Sequence, residues 1–197
     1  SAETSFTKWK ENPSVAADAA EIAEWCQSKH TTRIRNIEHP YPCDLKLHAQ
    51  YGSAEIKAAL GISSIIRSGP TGLGVIPIER LKTYVHLVTF RKDERDFSPT
   101  TQYRDYPISQ TKIHWESQSN TSQTSQTGQN YLNFKERCYT ILFFARLDKR
   151  QEGETCPFIY LGPAKDLLNT EGNRPISMTW ELDYPIPAEL FESARSV

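Results

Sequence analysis

The chain has 197 residues, 38% of them hydrophobic and 24% charged, and its basic and acidic side chains nearly cancel at a net charge of -1. That length fits one domain with an appendage, and that balance excludes a protein that holds a polyanion by bulk charge alone. No run approaches the roughly 18 apolar residues of a membrane span, so no membrane partner is expected.

Cys26, Cys43, Cys138 and Cys156 form no C-x-x-C pair, and no histidine stands at finger spacing, so no metal and no cofactor are expected. The first residues, SAETSFTKWK, hold no apolar signal segment. The expectation is a cytoplasmic protein with reduced thiols.

In chain order, SVAADAAEIAEWCQ (14 to 27) carries strong helix formers after Pro13, with Val15, Ala19, Ile22 and Trp25 near helical spacing, and predicts a helix. KHTTRIRNIEHPYPC (29 to 43) mixes cations, aromatics and prolines without a period and reads as a connection or a short strand. A second helix is predicted from Ser53, stopping at Gly61. SGPTGLGVI is glycine-rich but lacks the spacing and the Lys-Ser/Thr ending of a phosphate-binding loop.

From residue 84 the texture changes. YVHLVTF (84 to 90), KIHWES (112 to 117), CYTILFFAR (138 to 146), PFIYLGPA (157 to 164) and ISMTWEL (176 to 182) are rich in β-branched and aromatic residues and predict strands. Residues 117 to 130, SQSNTSQTSQTGQN, have the composition of a disordered linker, yet they are short and lie between two strands, which favours order. The fold class expected is α+β, mostly β: a curved sheet or partly open barrel with N-terminal helices.

Chemistry is sparse. His30, His39, His48, His86 and His114 fit no metalloprotease spacing, and no serine sits in a G-x-S-x-G elbow. A nuclease centre needs carboxylates and a lysine converging across strands; Asp166 and Glu181 could be recruited, but nothing singles them out.

Cations cluster at Arg33 and Arg35, Arg80 and Lys82, Arg91 and Lys92, and Arg146 to Arg150, interleaved with aromatics. Residues 96 to 119 place Phe97, Tyr103, Tyr106 and Trp115 among Gln102, Asp105, Gln110 and Gln118. Rings stack on bases and amides read their edges, so this stretch suits a base-reading surface. The same rings, with Tyr131, equally suit the core of a β domain.

The segments D-F-S-P-T-T (96 to 101), H-W-x-S-Q-S (114 to 119), T-G-Q-x-Y (127 to 131) and L-G-P-A (161 to 164) carry a family resemblance that runs from about residue 47 to 190. The chain resembles the C-terminal domain of unknown function in bacterial proteins that combine a phospholipase-D-like nuclease with a superfamily-two helicase. These include Type IV restriction enzymes that cut modified-cytosine DNA. The resemblance implies a target-recognition domain, not itself an enzyme, with cleavage and ATP hydrolysis left to nuclease and helicase domains of a parent enzyme. It implies a boundary near 46/47, with 1 to 46 a helical extension or linker and 47 to 197 the reader.

The expected ligand is double-stranded DNA carrying 5-methylcytosine or 5-hydroxymethylcytosine, read by base flipping in a barrel of that type. In that scheme Trp115, Tyr103 and Phe97 stack on the extracted base or wedge behind it, and Asp105 and Gln118 read its edge. Thr100, Ser119, Thr127 and Gln129 contact the backbone or the vacated stack, while Arg91, Lys92, Lys112 and Arg35 hold phosphates. Two rivals are a sequence-specific reader of unmodified DNA and a regulatory domain that docks on a helicase or nuclease.

Overall fold

The computed structural model describes residues 34–62, 74–91 and 105–195. The helix expected over 14 to 27 lies outside them, as do Phe97, Thr100, Tyr103 and Lys92. Residues from Ile34 onward form one unit, Ile34–Val197, separate from Ser1–Arg33.

Twelve strands and three α-helices occur among the described residues. The strands are β1 (Arg35–Asn36), β2 (Lys46–Leu47), β3 (Gln50–Tyr51), β4 (Val75–Ile78), β5 (Thr83–Thr89), β6 (Tyr106–Ser109), β7 (Lys112–Glu116), β8 (Thr140–Arg146), β9 (Arg150–Gln151), β10 (Glu154–Thr155), β11 (Phe158–Gly172) and β12 (Ile176–Leu182). The helices are α1 (Ser53–Ala59), α2 (Gln126–Leu132) and α3 (Ala188–Arg195). Residues 34–46 pack with this unit, upstream of the boundary expected at 47: β1 pairs with β2, and Leu45 is buried.

The main sheet runs β4-β5-β8-β11-β12-β7-β6, with β3 added beside β11. Every pairing is antiparallel except β5 with β8, which are parallel from Thr83↔Thr140 to Thr89↔Arg146. A parallel pair needs a long crossover, and β6, β7 and α2 occupy it.

Central β5 and β8 are apolar on both faces. Tyr84, Val88, Ile141, Phe143 and Ala145 face one core, and Val85, Leu142 and Phe144 the other. The second core is closed by Leu45, α1 residue Ile56 and Leu60. The first joins the β5–β8 half to the inward side chains of β7 and β12, namely Ile113, Trp115, Ile176, Met178, Trp180 and Leu182. Strands far apart in sheet order share one core only if the sheet curls toward itself.

The long strand β11 makes that curl possible. It pairs with β8 near its start and with β12 beyond Ala164, with register shifts at Tyr160/Gly162, Ala164/Asp166 and Leu167/Asn169. Bulges bend a strand and increase its twist. Gly162 of the L-G-P-A segment takes a φ of 91°, and a Cβ there would stand 2.8 Å from the Tyr184 ring. Glycine is therefore the residue that this bend requires. The sheet stays open, with β4 and β6 as its edges, so the structure is a curved sheet and not a closed barrel.

Candidate nucleic-acid interface

The segment that composition marks as a linker is an ordered polar structure. Ser117 is fully buried at the end of β7; its N–H donates to the Ile176 carbonyl at 2.9 Å, and its hydroxyl accepts the Ile176 N–H at 2.8 Å. The Gln123 N–H donates to Asn173 Oδ1 at 2.9 Å, and its amide Nε2 donates to the Gly172 carbonyl at 2.7 Å. These bonds tie the loop to both sides of the β11–β12 turn.

The other end of the loop is fixed by the start of α2. Ser125 is the N-cap: its hydroxyl accepts the Gly128 N–H at 3.1 Å and donates to the Ser122 carbonyl at 2.7 Å. A serine in this role satisfies a helix donor that would otherwise be unpaired. A Cβ at Gly128 would run into the Ser122 carbonyl oxygen, so glycine at this position lets loop and helix touch. Gln129 Nε2 donates to the Gln123 carbonyl at 2.8 Å. Asn130, nearly fully buried, donates to the Tyr84 hydroxyl at 2.9 Å and accepts from Arg137 Nη1 at 2.9 Å and Gln126 Nε2 at 3.0 Å. The T-G-Q-x-Y segment thus builds the loop's support, with Tyr131 in the core below.

Strand β7 leads into that loop and carries side chains to both faces. Lys112, His114 and Glu116 point outward, while Ile113 and Trp115 point in. Asp105, just before β6, is buried and accepts the Glu116 N–H on Oδ1 at 3.0 Å. Asp105, Lys112, Trp115, Gln118 and Ser119 therefore belong to one continuous β6–β7–loop unit, and Thr127 and Gln129 lie on the helix that closes it.

Four of the expected residues stand elsewhere than their expected roles require, or are otherwise engaged. Trp115 is 4% exposed, with the His86 ring stacked on it at 4.0 Å and Tyr131 edge-on at 5.4 Å, so it is a core ring and offers no open face to a base. Gln129 is half-buried and donates from Nε2 to the loop backbone, so it helps to position the loop. Arg91, at the end of β5, donates from Nη2 to the Ser193 carbonyl at 2.8 Å and stands 3.8 Å from Asp148, away from the β6–β7 unit in sheet order. Arg35, on β1, lies over the Tyr184 ring at 5.0 Å. Lys112 alone of the described cations proposed for phosphates lies on the β6–β7 unit, at the end of β7 away from the loop.

Sequence reasoning names Tyr106 among the rings of 96 to 119 but gives it no role of its own. Its ring lies parallel to that of His114, 4.7 Å away at 9°, and is 47% exposed. Alternation on β6 could have shown it, since buried Pro107 sets Tyr106 and Ile108 outward.

Among the described residues no three His, Cys, Asp or Glu side chains come together in a way that could hold a metal ion. Asp166 and Glu181 do pair across β11 and β12, but each carries its own lysine: Lys135 to Asp166 at 3.0 Å and Lys165 to Glu181 at 3.4 Å. The hydrogen bond from Lys135 holds the Asp166 carboxyl below its usual range. No helix among the described residues is long and apolar enough to cross a membrane.

These features define an α+β, mostly β domain whose curved open sheet presents a braced loop of neutral hydrogen-bonding residues. The chain belongs to the family described as "Domain of unknown function (DUF3427)", whose model matches residues 45–194. No curated protein matches the chain.

Proposed function

We propose that this domain binds double-stranded DNA and recognises a modified base, 5-methylcytosine or 5-hydroxymethylcytosine, extracted from the duplex. It does so for the nuclease and helicase domains of a parent modification-dependent restriction enzyme; it cuts nothing itself. The supporting observation is the braced 117–130 loop. Seven of its residues, Ser117, Gln123, Ser125, Gln126, Gly128, Gln129 and Asn130, are committed to holding its shape, while Ser119, Asn120 and Thr124 are exposed.

Neutral amides and hydroxyls read base edges, whereas cations hold phosphates without regard to sequence. A loop ordered before binding also loses little conformational entropy when it engages. In this reading Gln118 and Asp105 meet the base edge, Ser119 meets the backbone, and Lys112 holds a phosphate. The stacking ring comes from Phe97 or Tyr103, in the segment between Arg91 and Asp105. Trp115 and Tyr131 form the wall behind. The resemblance to modified-cytosine restriction enzymes supports the choice of base, because a 5-methyl group needs only a small apolar recess. Fluorescence anisotropy of otherwise identical modified and plain duplexes tests the proposal.

A further inference from the structure

The outer face of the β6–β7 edge holds a second feature that the base-reading loop does not use. Tyr106 and His114 are direct cross-strand partners, and their rings are stacked 4.7 Å apart at 9°. Among the described residues β6 is the last strand of the sheet, and no strand pairs with it beyond Tyr106. Tyr106 is 47% exposed, and His114 is the ring packed on it among the described residues. With nearly half of its surface exposed, Tyr106 has room to stack on one more flat group.

The surroundings narrow what that group is. Lys112 lies two residues before His114 on the same face of β7, about 7 Å along the strand, and is exposed. Its cross-strand neighbour Glu181 is engaged by Lys165 at 3.4 Å, and Glu116 lies 3.4 Å from the Ser177 hydroxyl. Thr179 stands opposite His114. An exposed aromatic ring with a cation one short step away, among hydroxyls, matches a base and its phosphate. A protein partner is a poorer fit, since among the described residues Tyr106 and Ile108 are the two large apolar side chains exposed on this edge, too few for a stable interface.

We propose that Tyr106, backed by His114, is a stacking site for an unpaired nucleobase of single-stranded nucleic acid, with Lys112 on the adjoining phosphate. The proposal rests on the nucleic-acid reading and shares Lys112 with it, but the stacking ring is Tyr106 and the ligand is a single strand. The base continues the stack as a third plane, and the contact is tolerant of sequence because every base has such a face.

The test uses the full chain and a fluorescein-labelled twelve-residue oligothymidylate, together with the same oligomer carrying 2-aminopurine at its centre. Tyr106→Phe is expected to bind within about twofold of the parent, and Tyr106→Ala and Tyr106→Leu about tenfold more weakly, in the range of one base stack. The 2-aminopurine emission is expected to be quenched on the parent and not on Tyr106→Ala. Melting by circular dichroism checks that the variants fold. Single-strand binding unchanged in Tyr106→Ala, or retained in Tyr106→Leu, overturns the site. Absence of single-strand binding beside a kept preference for modified duplex overturns this site and leaves the base-reading proposal standing. Absence of both kinds of binding overturns the two together.

Discussion

The imidazole of His86 lies 4.0 Å from the indole of Trp115 with their planes 16° apart, deep in the core that joins the two halves of the sheet. Tyr131, Phe143 and Trp180 surround the imidazole edge-on, and neither of its nitrogens has a hydrogen-bond partner among the described residues. Burial pushes its pKa down to about 3 from 6.5. The ring is thus neutral, and it serves as an aromatic brick.

That depressed pKa sets an acid limit on stability. The unfolded chain takes up a proton on His86 near pH 6.5, whereas the folded chain takes it up only near pH 3. Stability from this group is therefore full above pH 6.5 and declines as pH falls toward 3, by about 1.4 kcal/mol per pH unit at most. His86→Phe is expected to remove that slope and to melt higher at pH 5 than the parent. Parallel stability curves for the two proteins between pH 7 and 4 would show that His86 is not buried as described.

Trp115 is expected to behave as a core residue. Trp115→Ala costs about 3–5 kcal/mol of stability, in the range of large aromatic truncations. Any loss of DNA binding should then fall alike on modified and plain duplexes. Urea unfolding followed by titration of both DNAs checks this; undiminished stability with a selective loss on modified DNA would return Trp115 to the base pocket.

The brace of the loop has its own test. Gly128→Ala places a methyl group against the Ser122 carbonyl oxygen and should destabilise the domain by about 1–3 kcal/mol, the usual range for overpacking. Hydrogen exchange should rise first at Ser125 and Gly128. A variant as stable as the parent, with unchanged exchange there, contradicts the close approach.

Lys112→Ala is expected to weaken modified and plain duplexes equally and to lower the salt slope by about one phosphate contact, roughly 0.9 in log–log units. An unchanged slope removes Lys112 from the backbone contact.

The strands were legible where both faces are buried. YVHLVTF and TILFFAR are mostly apolar on both faces because β5 and β8 lie between two cores, and ISMTWEL alternates because β12 has one wet face. The helix from Ser53 was equally plain, ending at Ala59 with Gly61 just beyond. Hidden were β6, four residues with Pro107 inside, and the second half of β11, whose polar tail becomes strand only by pairing with β12. Helix α2 was hidden because Gln-Thr-Gly-Gln-Asn has little intrinsic preference for it; the Ser125 cap and the burial of Asn130 and Tyr131 supply the stability.

The site divided in a similar way. Asp105, Gln118 and Ser119 were readable as near one another because the β6–β7 hairpin returns the chain from Asp105 to Glu116, just before the loop. Trp115 was not readable as a core ring, because what covers it is His86, from a strand on the other half of the sheet. Alternation on β7 alone leaves open whether an inward ring meets a ligand or another side chain.

The most direct test of the central claim is anisotropy of short duplexes bearing cytosine, 5-methylcytosine, 5-hydroxymethylcytosine or N6-methyladenine in one context, at two salt concentrations. The expected result is a preference of about tenfold or more, roughly 1.4 kcal/mol, for a 5-substituted cytosine at both salts. Equal affinity for all four duplexes contradicts base reading and leaves a general DNA-binding domain. No binding to any of them contradicts DNA recognition altogether and favours a domain that docks on its enzyme partners.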